Sequence, residues 1–151
     1  MSEWIRGALI DRLHGAHIHV DPMVAVDGLS EQDAARHPFE GGHSPLELLF
    51  HMVYWMEFSM DLIGGENPEY VENVDWNTEG EDWDSLMQRL RKDLSNMEFM
   101  AENWELEDKV KISDDLSTCV GAELMGAMQH TSYHLGQLVA ARRALGTWSR
   151  P

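Results

Sequence analysis

The chain has 151 residues, 27 of them acidic and 11 basic, for a formal net charge of −16. Such a surface repels phosphate backbones and anionic headgroups, which disfavours nucleic-acid and membrane partners. At this length roughly 70% of the unfolded surface can be buried, so the 43% hydrophobic content is enough for one domain spanning residues 1–151 with no disulfide staple. The longest apolar run, Leu48 to Tyr54, is broken by His51 and falls far short of the roughly 18 residues of a membrane helix. The opening Met1-Ser2-Glu3-Trp4 lacks the basic and apolar regions of a secretory signal, and the single cysteine, Cys119, suits a reducing compartment. The expected location is therefore the cytoplasm. Two small basic groups, Arg89, Arg91 and Lys92 and then Arg142, Arg143 and Arg150, read as solvated helix faces.

Taken in chain order, helical periodicity recurs and strand-type alternation is poor throughout. A first helix is expected from about Glu3 to His14, with Trp4, Ala8, Leu9 and Leu13 on one stripe. Asp21-Pro22 reads as a cap followed by proline at the first helical position, opening a short helix towards Asp27. Ser30-Glu31-Gln32-Asp33 is another helix start, and His37 to Gly42 is a connector broken by Pro38 and paired glycines. Ser44-Pro45-Leu46-Glu47 combines a capping serine, proline at N1 and glutamate at N3. A long helix should run from it to about Ile63, stopped by Gly64-Gly65. Glu66 to Asp82 is acidic and reads as an exposed loop with at most one short turn. Asp82 or Asp84 then caps a helix whose Leu86, Leu90, Leu94, Met97 and Met100 recur at helical spacing. Lys109 to Thr118 reads as an irregular crossing, and the last helix extends from Thr118–Gly121 to Leu145, ended by Gly146. Four long helices joined by substantial crossings predict an all-α four-helix bundle.

Eight histidines make their placement informative. His130 and His134, four apart on the last helix, differ by ~40° around its axis and ~6 Å along it, a spacing at which one helix face offers two imidazoles to a single ion. The apolar stripe Leu124, Ala127, Leu135, Leu138 and Leu145 borders this face, which turns His134 inward, and a buried imidazole needs a partner. Tyr133 and Gln137 sit a turn away and are candidates for supporting hydrogen bonds, Tyr133 also as a proton donor. His51 stands in the middle of Leu48-Leu49-Phe50-His51-Met52-Val53-Tyr54-Trp55, where burial again demands pairing. A carbonyl-bonded core histidine would satisfy His51 taken alone; with the other two, a metal site between facing helices becomes the better reading. Neutral imidazoles suit Zn, Ni, Cu or Fe(II), and three of them leave a position open. His17 and His19 form a His-x-His pair in a loop, His43 precedes the capping serine, and His14 and His37 stand without supporting context.

The segments His43-Ser44-Pro45-Leu46-Glu47-Leu48-Leu49-Phe50-His51-Met52-Val53-Tyr54-Trp55 and His130-Thr131-Ser132-Tyr133-His134-Leu135-Gly136-Gln137, with the trailing Arg142-Arg143-Ala144-Leu145-Gly146-Thr147-Trp148, resemble the DinB/YfiT-like family of metal-dependent bundle proteins. The resemblance implies an up-down-down-up bundle with long crossing loops and a divalent metal ion, Zn or Ni, on His51, His130 and His134. It also implies a homodimer. Some relatives are S-transferases or isomerases that use low-molecular-weight thiols; others have no known substrate. Three functions follow as expectations: transfer of a low-molecular-weight thiol to an electrophilic small molecule, metal-dependent hydrolysis with water as nucleophile, or a non-enzymatic stress-response protein stabilised by its ion.

Overall fold

Ser44 decides where the most apolar stretch of the chain becomes helix. Its hydroxyl accepts the Glu47 N–H at 3.2 Å while the Glu47 carboxylate accepts the Ser44 N–H at 2.8 Å, so two of the unpaired donors at the helix start are satisfied reciprocally. In the computed structural model, which describes residues 3–149, this opens a helix at Pro45–Ile63. It follows α1 (Glu3–Leu13), α2 (Pro22–Val26) and α3 (Glu31–Ala34), and is α4. A 3₁₀ turn at Val74–Trp76 interrupts the crossing to α5 (Trp83–Asn103), and α6 spans Val120–Ala144. Arg150, grouped with the basic residues of the last helix, lies outside the described residues.

The ends of these helices follow their local chemistry. Asp21 caps α2 by accepting the Met23 N–H at 2.8 Å, Ser30 caps α3 through Asp33, and Asp82 caps α5 through Ser85 at 2.9 Å. After Leu13 the chain turns at Gly15, where φ is +67° and an added Cβ would fall 2.3 Å from His19 Nδ1, so only glycine fits. Gly146 closes α6 in the left-handed conformation at φ +72°.

The helix directions can be read from which ends meet. Arg6 of α1 donates to the carbonyls of Ala101 and Trp104 at the end of α5, so α1 runs against α5. Gly121 at the start of α6 donates to the Leu106 carbonyl just beyond α5, so α6 also runs against it. Leu62 and Ile63 at the end of α4 line one cleft with Lys109 to Asp114, which follow α5, so α4 and α5 end together and are parallel. The bundle is therefore up-down-down-up, and the segment between α4 and α5 must return along its whole length.

Within this frame α4 is buried on several sides, packing on both α6 and α5; Leu49, Met52 and Val53 are inaccessible. A helix enclosed this way can be apolar nearly all round. By contrast α5 buries a single stripe of Trp83, Leu86, Leu90, Leu94, Met97 and Ala101, as its spacing predicts.

Two features depart from the sequence reading. The crossing after α5 contains an antiparallel hairpin, β1 (Lys109–Lys111) with β2 (Ser117–Cys119), pairing Val110 with Thr118. Three residues per strand, with Val110 alone buried in β1, are too few to produce a legible alternation. Arg142 is not on a solvated face: it is 4% exposed. Its guanidinium donates to the carbonyls of Ala25, Asp27 and Thr147 and lies 5.2 Å from the Trp148 ring centre. The end of α2 has carbonyls with no helical partner, and a buried planar donor supplies them.

Candidate metal centre

α4 and α6 pack along much of their length, and this contact carries three imidazoles. His51 comes from the middle of α4, His130 and His134 from successive turns of α6. His51 and His134 are buried and His130 is half-buried. One ligand atom from each lies within 4.8 Å of the others, the one such group of metal-ligating side chains among the described residues. His51 Nε2 and His130 Nε2 are 3.1 Å apart, and the His134 ring centre is 4.4 Å from that of His51 and 4.5 Å from that of His130.

Hydrogen bonds decide which nitrogens face inward. His51 Nδ1 is 3.2 Å from both the backbone carbonyl and Oδ2 of Asp75; a carbonyl can only accept, so Nδ1 carries the proton and Nε2 the lone pair. His134 Nδ1 is 2.7 Å from Gln137 Oε1, which directs its other nitrogen towards the cluster. His130 Nδ1 is buried without a partner, and this ring is seated instead among His51, His134 and Trp55.

Burial, joined for His51 and His130 by their neighbours in the cluster, favours the neutral form of all three imidazoles. His130 is pushed down to about 4, by desolvation first and then by His134 and His51. His51 is lowered by desolvation and then by His134, against the raising effect of Asp75. His134 is lowered mainly by desolvation, opposed by its bond to Gln137. Neutral imidazoles are the form that ligates metals. The geometry also fits: two nitrogens on one tetrahedral ion stand about 3.3 Å apart when each metal–nitrogen bond is about 2.0–2.1 Å. Two lone pairs aimed at each other across 3.1 Å repel unless a cation or a proton lies between them.

An aromatic frame surrounds the cluster. The Trp76 ring stacks on His51 and on His43, each with centres 3.8 Å apart and planes 13° from parallel. Trp55 meets His51 and His130 edge-on and stacks on Tyr70. Of the two residues expected to flank the pair on α6, Gln137 bonds His134, whereas Tyr133 is 66% exposed. Tyr133 turns its ring edge-on to His134 at 4.9 Å between centres and hydrogen-bonds none of the imidazoles.

The remaining histidines lie outside the cluster of three, although His43 reaches its frame through Trp76. His19 donates from Nδ1 to the Val20 carbonyl and bonds Ser132 Oγ through Nε2 at 2.9 Å, tying the loop after α1 to α6. His17 is exposed, His14 pairs with Asp21 at 2.8 Å, and His37 bonds the Gly42 carbonyl. His43 lies 3.4 Å from Glu47 at the start of α4.

Sequence reasoning missed Asp75, Trp76, Trp55 and Tyr70 as parts of this centre. The available signal was Val74-Asp75-Trp76, two apolar residues inside an otherwise acidic stretch, which marks a loop anchored at one point.

A family model described as the DinB superfamily matches residues 23–138, a span that contains the three histidines and Asp75. No curated protein and no solved structure matches the chain significantly.

Proposed function

The chain belongs to the DinB superfamily, and on that premise we propose that it binds a divalent metal ion, zinc or nickel, through His51, His130 and His134 and uses it to activate a low-molecular-weight thiol or water. The observation that carries this reading is the convergence of three neutral imidazoles, two of them with Nε2 atoms 3.1 Å apart. A divalent ion held there would supply Lewis acidity, lowering the pKa of a thiol or water so that a nucleophile exists at neutral pH. The protein's own contribution is positional. Asp75 fixes His51 and Gln137 fixes His134, while Trp76 stacks on His51 and Trp55 meets His51 and His130 edge-on. Transfer of the thiol to an electrophilic small molecule is the reaction that family membership favours, with hydrolysis the alternative.

Elemental analysis of purified, metal-loaded protein beside the triple His→Ala variant tests the reading. About one equivalent in the wild type and none in the variant is expected; less than about a tenth of an equivalent in the wild type would overturn it, because a three-imidazole site binds tightly. Conjugation of bacillithiol, mycothiol or glutathione to a model electrophile, lost in His51→Ala, supports thiol transfer; no turnover across such a panel with metal-loaded protein overturns it.

The burial of His51 and His134 supports a second reading, a non-enzymatic stress-response protein whose ion chiefly clamps α4 to α6. Chelation would then lower Tm sharply without any turnover to lose. The reading extends to a cytoplasmic homodimer. The exposed Trp4, Ile18 and Met125, which line one apolar groove of about 590 Å³ between α1 and α6, support self-association, which light scattering on the eluting protein measures.

A further inference from the structure

Asp75 is 5% exposed and sits on the 3₁₀ turn in the crossing from α4 to α5. Burying a carboxylate costs several kcal/mol unless donors and opposite charge compensate it. Donors are present: Trp55 Nε1 donates to Oδ2 at 3.0 Å, the Tyr70 hydroxyl to Oδ1 at 3.2 Å, and His51 Nδ1 lies 3.2 Å from Oδ2. Opposite charge is not: among the described residues no lysine or arginine pairs with Asp75, and the one basic side chain beside it is the imidazole of His51. The one direction in which a positive charge would complete the arrangement is through the imidazole of His51, at Nε2.

We propose that Asp75 is a positioning residue of the metal site: its backbone carbonyl accepts the His51 Nδ1–H and sets the tautomer with Nε2 aimed at the ion, while its carboxylate, 3.2 Å from the same nitrogen, takes the ion, through that ring, as its missing counter-charge. This rests on the metal-binding reading above. No side chain of α4 hydrogen-bonds His51 Nδ1, whose partner comes from Asp75 on the crossing. Trp76, one residue on, stacks on the same ring, so the turn controls both the plane of the imidazole and its rotation. Carboxylates that accept the rear N–H of a metal-bound histidine typically change metal affinity 10–100-fold.

The test is competition of the protein with a chromophoric chelator for Zn²⁺, for wild type, Asp75→Ala and Asp75→Asn, each also in a His51→Ala background. Two-bond ¹H–¹⁵N spectra of the imidazoles are recorded alongside. Zinc should bind about 100-fold more weakly to Asp75→Ala and about tenfold more weakly to Asp75→Asn, which keeps a polar group beside His51 Nδ1 but lacks the charge. The spectrum should show His51 as the Nδ1–H tautomer in wild type and in both variants, because the backbone carbonyl of residue 75 remains, so that the loss of affinity reports the carboxylate charge. In the His51→Ala background, neither Asp75 substitution should weaken binding further by more than about twofold. Wild-type affinity in Asp75→Asn, or an equal loss with and without His51, overturns the positioning role while leaving the metal site intact. A wild-type protein that takes up no zinc overturns both. If Asp75→Ala does not fold, as judged by its melting curve, Asp75→Asn decides alone.

Discussion

Replacing Asp93 by asparagine removes a carboxyl group from the core stripe of α5, where it is 3% exposed and its Oδ2 is buried without a hydrogen-bond partner. Desolvation, and secondarily the charge of Glu57, push this group up to about 7 from an ordinary 3.8, against the opposing pull of Arg89 and Lys92. Between those two pH values the folded protein keeps a proton that the unfolded chain has lost. Stability from this group is thus fully present below about pH 4 and declines as the pH rises, until it is gone above about 7. Each pH unit in that window is worth about 1.4 kcal/mol, so the window as a whole sets a ceiling of about 4 kcal/mol on the loss. Asparagine is uncharged throughout and keeps nearly the same volume. Urea unfolding of both proteins at pH 5 and pH 8 isolates the contribution, because every other titrating group is common to them. Asp93→Asn should gain on the wild type by about 2 kcal/mol or more between pH 5 and pH 8, and be the more stable protein at pH 8. A difference between the two proteins that does not change with pH would refute the reasoning.

Two further outcomes follow from other buried groups. Arg142→Met should cost about 3 kcal/mol in urea unfolding, since it leaves the Ala25, Asp27 and Thr147 carbonyls short of donors, whereas Arg143→Met, on an exposed position, should cost under about 0.5 kcal/mol. The lowered pKa of His130, about 4 against an ordinary 6.5, has the opposite sign to Asp93. The metal-free protein should lose stability as the pH falls from about 6.5 towards 4, and that loss should be smaller in His130→Gln, read from melting curves.

What was legible in the sequence is what is encoded within one or two helical turns. The reciprocal cap of Ser44 and Glu47, the stripe of α5 and the four-residue spacing of His130 and His134 each depend on neighbours along the chain, and each appears in the structure as read. His51 was legible for a different reason: a polar ring among apolar residues must find a partner wherever it packs. Asp75 could not be found this way. It lies 24 residues from His51, and only the return of the crossing along α4 brings the two together. Arg142 fails by the same logic, since two of the three carbonyls it serves, those of Ala25 and Asp27, are more than a hundred residues earlier in the chain. The hairpin of β1 and β2 is local but too short to stand out from a loop.

The parallel course of α4 and α5 also bears on how the centre comes into being. His51 and His130 are 79 residues apart, and Asp75 reaches them only on a strap that spans the bundle from end to end. No fragment of the chain short of the docked α6 therefore contains the site, and a half-made bundle offers an incoming ion His51 alone or the His130 and His134 pair of α6, never all three. Contacts formed so late add little to the speed of folding and act chiefly on the rate of coming apart. An ion at this place would work as a latch closed after assembly, lengthening the life of the finished protein without guiding its construction.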